Sequence, residues 1–282
     1  MASSMVWLPR TMVLLAIVQA VQVAQKTQGE LSEQEPPRIG HVPLRHVPCE
    51  LGPLPVRSLL SRRVPRTQPY TPPTCQVRPE KLPMVFVHSL PKMGTTSLSK
   101  AMKEFGFRDC PEAGRDYIPF EYGPKIYELH GKLSVSKFGE TPKELEDEIR
   151  WSLAGLKARV EAEPCDSFSD YPMGHAQGLD IRIKMALWPE AKYIWVERSA
   201  DDWIASLLHF RSSHGDDSPE GVFLRERFDE CTHFMHKVVM AAPGKFLSMQ
   251  LANISWESLL PFLGMGDCTG VDNDFPKANA KS

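Results

Sequence analysis

Met84-Val85-Phe86-Val87-His88-Ser89-Leu90-Pro91-Lys92-Met93-Gly94-Thr95-Thr96-Ser97-Leu98 decides how this chain is read. Four apolar residues, Met84 to Val87, form a short run of the kind found in a buried parallel strand. Pro91 and Gly94 punctuate a turn. Thr95, Thr96 and Ser97 then offer hydroxyls to cap a helix whose apolar face includes Leu98, Met102 and Phe105 and which ends at Gly106. A helix start behind a glycine presents N–H groups and a positive dipole end, which suits a phosphate or sulfate. Lys92 adds a full charge there. For a bare Gly-Thr-Thr the plain reading is an ordinary βα turn that happens to hold a lysine. The order strand, Pro-Lys-x-Gly-Thr-Thr-Ser, helix is far more specific. It also differs from the common nucleotide loop, G-x-x-x-x-G-K-[ST], in which the lysine follows the last glycine. Here Lys92 precedes Gly94.

Outward from this stretch, strand-like and helix-like runs alternate. Phe107 to Cys110 reads as a short strand. Thr141-Pro-Lys-Glu144 is a helix start, and Leu145, Ile149, Leu153, Leu156 and Val160 follow at helical spacing. Cys165 to Pro172 suits a strand with a polar end, followed by a helix from about His175 to Leu187. Lys192 to Arg198 is a β-rich run ending in charge. Ser199-Ala-Asp-Asp202 caps a helix carrying Trp203, Ile204, Leu207 and Leu208. Residues 219–240 form a further helix, with Val222, Phe223, Arg227, Phe228, Phe234, Val238 and Val239 mostly on one side. Lys245 to Gln250 is a strand, and Trp256 to Gly264 the last helix. This alternation predicts an α/β protein with a mainly parallel sheet. Ligands bind such sheets at the carboxyl ends of strands. That rule selects three places: Lys92 to Ser97, Ser169-Asp170, and Glu197-Arg198.

The third of these places carries a second motif. Arg198 closes its strand, and Ser206 stands eight residues later on the following helix. A guanidinium offers a planar fork of donors to phosphate oxygens, and a serine about two turns into the helix can add a hydroxyl to the same anion. The plain alternative pairs Arg198 with Asp201 or Asp202.

Together, the lysine-first loop and the Arg198…Ser206 pair resemble the sulfotransferases, enzymes that use 3′-phosphoadenosine 5′-phosphosulfate (PAPS). Trp256-Glu-Ser-Leu-Leu-Pro-Phe-Leu-Gly264 and Asp274-Phe-Pro-Lys-Ala-Asn279 are similar to that family's late helix and ending. The resemblance covers roughly residues 82–280 in scattered motifs. The Thr-Thr-Ser-Leu loop and Asp170-Tyr-Pro172 look closest to a P-loop-type branch found in microbial and invertebrate sequences. The resemblance implies a three-layer, P-loop-like α/β fold with a central, mainly parallel sheet flanked by helices. It implies that Lys92, Met93, Gly94, Thr95, Thr96 and Ser97 hold the 5′-phosphosulfate end of PAPS. Arg198 and Ser206 would hold the 3′-phosphate, and Lys92 would also stabilise the leaving group. The acceptor hydroxyl or amine needs a base. Asp170 is the first candidate, His175 the second and His88 a remote third, and a turn-capping role for Asp170 stands beside the catalytic one. The strand-borne histidine of the family's cytosolic branch has no clear match. No metal is implied. His233-x-x-His236 reads as a surface pair.

Composition sets the surroundings. The chain has 282 residues, 42% of them hydrophobic, and a net charge of −2, so nothing global argues for nucleic acid. Thr11 to Ala24 is an apolar stretch behind Arg10, short for a membrane span. Residues 1–25 therefore read as a signal peptide or an uncleaved signal anchor. Twelve of the 25 prolines fall between Pro36 and Pro83, beside eight basic residues and two acids. Residues 26–80 read as a Pro-rich basic linker, with a basic arm for an anionic glycan as the alternative. The resemblance implies a sulfotransferase domain over residues 81–282. Six cysteines, all beyond residue 25, permit three disulfides in any of fifteen pairings, and Cys49 with Cys75 could staple one irregular segment. Asn253-Ile-Ser255 is a glycosylation sequon.

The resulting expectation is a PAPS-dependent sulfotransferase of the secretory pathway, in the Golgi lumen or secreted. Its acceptor would be a carbohydrate or other secreted compound. The rivals are a catalytically silent lumenal binding protein of the same fold and a kinase or NTPase.

Overall fold

A computed structural model of the chain describes residues 49, 70–110, 143–169, 173, 174, 176, 179–212 and 221–276. Four short parallel strands make the central sheet: β2 (Val85–Val87), β3 (Ser167–Phe168), β4 (Lys192–Glu197) and β5 (Phe246–Gln250), in the order β3-β2-β4-β5. The described helices around it are α1 (Thr95–Glu104), α2 (Lys143–Ala162), α3 (Ile181–Leu187), α4 (Ala200–Ser212), α5 (Gly221–Ala241) and α6 (Trp256–Leu263). The chain is therefore α/β with a parallel sheet flanked by helices.

Register explains how such short strands hold. Phe168 pairs with Phe86, Phe86 with Tyr193, and Tyr193 with Phe246, so one aromatic from each strand lies in a row across the sheet. Neighbouring rings stand 5.1, 5.6 and 5.3 Å apart, and Trp188 packs on Phe86 at 5.2 Å. Cross-strand aromatic pairs add to the area they bury. This row crosses the sheet at the carboxyl end of β3, the middle of β2 and the amino ends of β4 and β5.

Several boundaries differ from the sequence reading. Thr95 to Ser97 lie inside the first turn of α1, whose N-cap is Gly94 in the left-handed region at φ 76°. Phe107 to Cys110 makes only an isolated parallel bridge, Asp109 to Ser167. α3 starts at Ile181 rather than near His175, because the Asp180 carboxylate accepts from the Arg182 N–H and caps the helix there. The buried stripe of α5 is Leu224, Phe228, Cys231 and Met235, one helical period apart, whereas Phe223 is exposed.

A second, two-stranded antiparallel sheet joins β1 (Thr74–Val77) to β6 (Gly266–Thr269). β1 lies within the stretch read as linker. The disulfides are Cys49–Cys231, Cys75–Cys268 and Cys110–Cys165, so Cys49 does not staple to Cys75. Three disulfides fit a protein that matures in an oxidising compartment. Among the described residues no helix is long and apolar enough to cross a membrane. The N-terminal apolar stretch lies outside those residues.

Candidate active site

The turn between β2 and α1 has two left-handed residues, Lys92 at φ 66° and Gly94 at φ 76°. Glycine tolerates this backbone, and a lysine rarely adopts it. Two contacts over-determine it. Trp203 of α4 donates its indole N–H to the Pro91 carbonyl at 2.8 Å, and Arg198, just after β4, donates to the Lys92 carbonyl at 3.4 Å. Strained backbone held by its surroundings clusters at functional sites. A side chain at Gly94 would be strained by the positive φ, and its Cβ would press on the Leu251 side chain, whose end would have to move.

No side chain caps α1, and the first bonds to the Gly94 carbonyl come from the N–H groups of Ser97 and Leu98. The start of the helix thus keeps the donors and the dipole end that an anion needs. Lys92, Gly94 and Thr96 are half-buried, and Thr95 and Ser97 nearly buried. Met93 is fully buried, so its side chain belongs to the core and its backbone to the loop. Ser206 sits half-buried on α4. The contact between Arg198 and the Lys92 carbonyl brings the first and second sequence motifs to one place although they are 106 residues apart.

The region of the expected base is partly described. Asp170 and His175 lie outside the described residues. Their neighbours run beside the root of the loop: the Ser89 N–H donates to the Gly174 carbonyl at 3.3 Å, and the Ala176 N–H to the Ser89 carbonyl at 2.9 Å. The Val196 N–H donates to Ser89 Oγ, tying β4 to the same residue. His88 is 1% exposed, with Nδ1 2.9 Å from Lys184 Nζ. Lys184 is wholly buried and also donates to the Met173 carbonyl. Burial pushes its amine down to about 7, and the Asp180 charge pulls the other way. His236 pairs with Glu197 at 3.1 Å rather than with His233 in a metal site. Among the described residues no cluster of three or more His, Cys, Asp or Glu could hold a metal.

Sequence reading missed Trp203 as a loop-holding residue, the buried Lys184 and the buried Asp109. Only Lys184 left a signal, since it falls on the Ile181-Lys184-Leu187-Trp188 stripe where an apolar residue is expected.

A comparison with curated proteins finds no match. Residues 84–218 match the family model described as a sulfotransferase domain. The span of that match includes the loop at Lys92–Ser97, Arg198 and Ser206, and the structure supplies the parallel sheet that brings these motifs together. Residues 84–218, just under half of the chain, are therefore similar to a sulfotransferase domain, a domain of transferases.

Proposed function

We propose that this domain transfers a sulfuryl group from PAPS to a hydroxyl or amine of an acceptor, most simply a carbohydrate or another secreted compound. The observation that carries this reading is the strained lysine-first turn whose Lys92 carbonyl is held by Arg198. A lysine-first loop with an arginine beside it supports a phosphorylated nucleotide as the ligand. Lys92 and the first turn of α1 lie at one place, with Arg198 beside them.

Sulfuryl transfer, like phosphoryl transfer, depends on positioning and charge stabilisation. PAPS supplies the activated sulfuryl group when bound. Gly94, Thr95, Thr96 and Ser97 hold the 5′-phosphate, Arg198 and Ser206 the 3′-phosphate, and Lys92 neutralises charge on the leaving phosphate oxygen. Asp170 is the proposed base that takes the acceptor proton, with His175 as its alternate. The three disulfides support a site of action in the secretory pathway, the Golgi lumen or outside the cell. Residues 81–282 form the catalytic domain behind a basic linker and an N-terminal targeting segment.

Calorimetric titration tests this directly. Adenosine 3′,5′-bisphosphate should bind the wild type more tightly than ATP with Mg²⁺, and Arg198→Ala should weaken it about 100-fold through the lost charge-assisted contacts. A preference for ATP, or indifference to Arg198→Ala, rejects the reading.

A further inference from the structure

Asp109 is a carboxylate only 8% exposed, and among the described residues no cation pairs with it. Three serine hydroxyls donate to it. Ser167 reaches Oδ1 at 2.7 Å, Ser169 reaches Oδ2 at 2.6 Å, and Ser99 donates to Oδ2 as well. Two of the donors are near neighbours in the chain: Ser167 is in β3, and Ser169 is the first residue beyond it. The third comes from α1.

The mount of this carboxylate is rigid. Residues 108, 109 and 110 are each bound to the segment entering β3. The Arg108 guanidinium holds Asp166 with two bonds of 3.0 Å, the Cys110 N–H donates to the Ser167 carbonyl at 2.9 Å, and Cys110 is disulfide-bonded to Cys165. Asp109 is thus anchored to the sheet edge, and from there it grips α1. Ser99 lies one turn beyond Thr95 on the same helical face, and both are nearly buried. A grip at Ser99 fixes the rotation of α1 about its axis. That rotation decides where the N–H groups and hydroxyls of its first turn point.

We propose that Asp109 is a positioning residue for the anion cradle, acting through Ser99 to aim the first turn of α1. The consequence for nucleotide affinity rests on the donor reading above; the consequence for the loop does not. The two serines also make the role separable from general stability. Ser99→Ala releases α1 from the carboxylate, whereas Ser167→Ala removes a donor from the same carboxylate on the sheet side alone.

The test uses the full chain and both variants, with two readouts. The first is amide hydrogen exchange over residues 94–98 in the ligand-free protein. The second is the dissociation constant for adenosine 3′,5′-bisphosphate. Ser99→Ala should speed exchange and weaken the bisphosphate about tenfold, the size of one hydrogen bond to a charged group. Ser167→Ala should change both by less than about twofold, although the two variants lose similar thermal stability. Equal exchange over residues 94–98 in the two variants overturns the proposal. If the wild type does not bind the bisphosphate, the donor reading fails, and the exchange arm still decides the role of Asp109.

Discussion

Asp109 and Lys184 are both buried groups that carry charge in water, and the fold accommodates them in opposite ways. Asp109 receives three O–H donors, which replace the water its carboxylate has left. Lys184 faces the His88 ring nitrogen and the Met173 carbonyl, and burial drives it toward the neutral amine. A carboxylate surrounded by hydroxyls works through geometry, as a fixed point between two elements. A desolvated lysine trades charge for burial, so its protonation state follows the solution. Asp109 ties β3 to α1, and Lys184 sits against the Met173 carbonyl with burial opposing its charged form.

The sharpest way to break the comparison is Asp109→Ala. It leaves three buried hydroxyls without their acceptor, and stability should fall by about 3 kcal/mol with an unchanged urea m-value. An unshifted midpoint would show that the hydroxyls find other partners. Lys184→Met gives the next effect, and the sign follows from linkage. The folded state holds the amine at about 7 and the unfolded chain near 10.5, so between these values the unfolded state binds more protons. Wild-type stability should therefore rise with pH across that window, by at most about 1.4 kcal/mol per pH unit. Below the window the full penalty is present, and above it the penalty is gone. The methionine variant should lose this slope, and a slope identical to wild type would acquit Lys184. Asp180→Asn should move the lower edge of the window further down, since that carboxylate supports the charged form. Trp203→Phe changes the pH dependence least and serves as the uncharged control. It loses the bond to the Pro91 carbonyl and part of a fully buried ring, so about 2 kcal/mol of stability should go, evenly at all pH values.

The parts of the molecule that depend on local order were legible in the sequence. The βα turn at Lys92, the helix behind it and the charged end of β4 each announce themselves within a few residues, and the parallel-sheet rule brought their ends together. Left-handed backbone at Lys92 had no such signal, because a lysine carries no preference for it and the cause lies in Trp203 and Arg198 far along the chain. Ser99, Asp109, Ser167 and Ser169 look like ordinary polar residues until the sheet edge meets α1. Cysteine pairing is equally remote in sequence: nearness along the chain suggests Cys49 with Cys75, whereas each pairs with a cysteine more than 180 residues later. The start of α3 was misplaced because Asp180 reads as one more polar residue until its carboxylate is seen to cap.

The long-range cystines set a timetable for making this protein. Cys75 pairs with a partner 193 residues later, and Cys49 with one 182 residues later. At roughly 5–20 residues per second of synthesis, Cys75 waits on the order of 10–40 s as a thiol before Cys268 exists. During that interval Cys110 and Cys165 become available and lie only 55 residues apart. The short cystine beside Asp109 can therefore close first, so that the brace under the candidate donor loop is in place before the chain's two ends are tied.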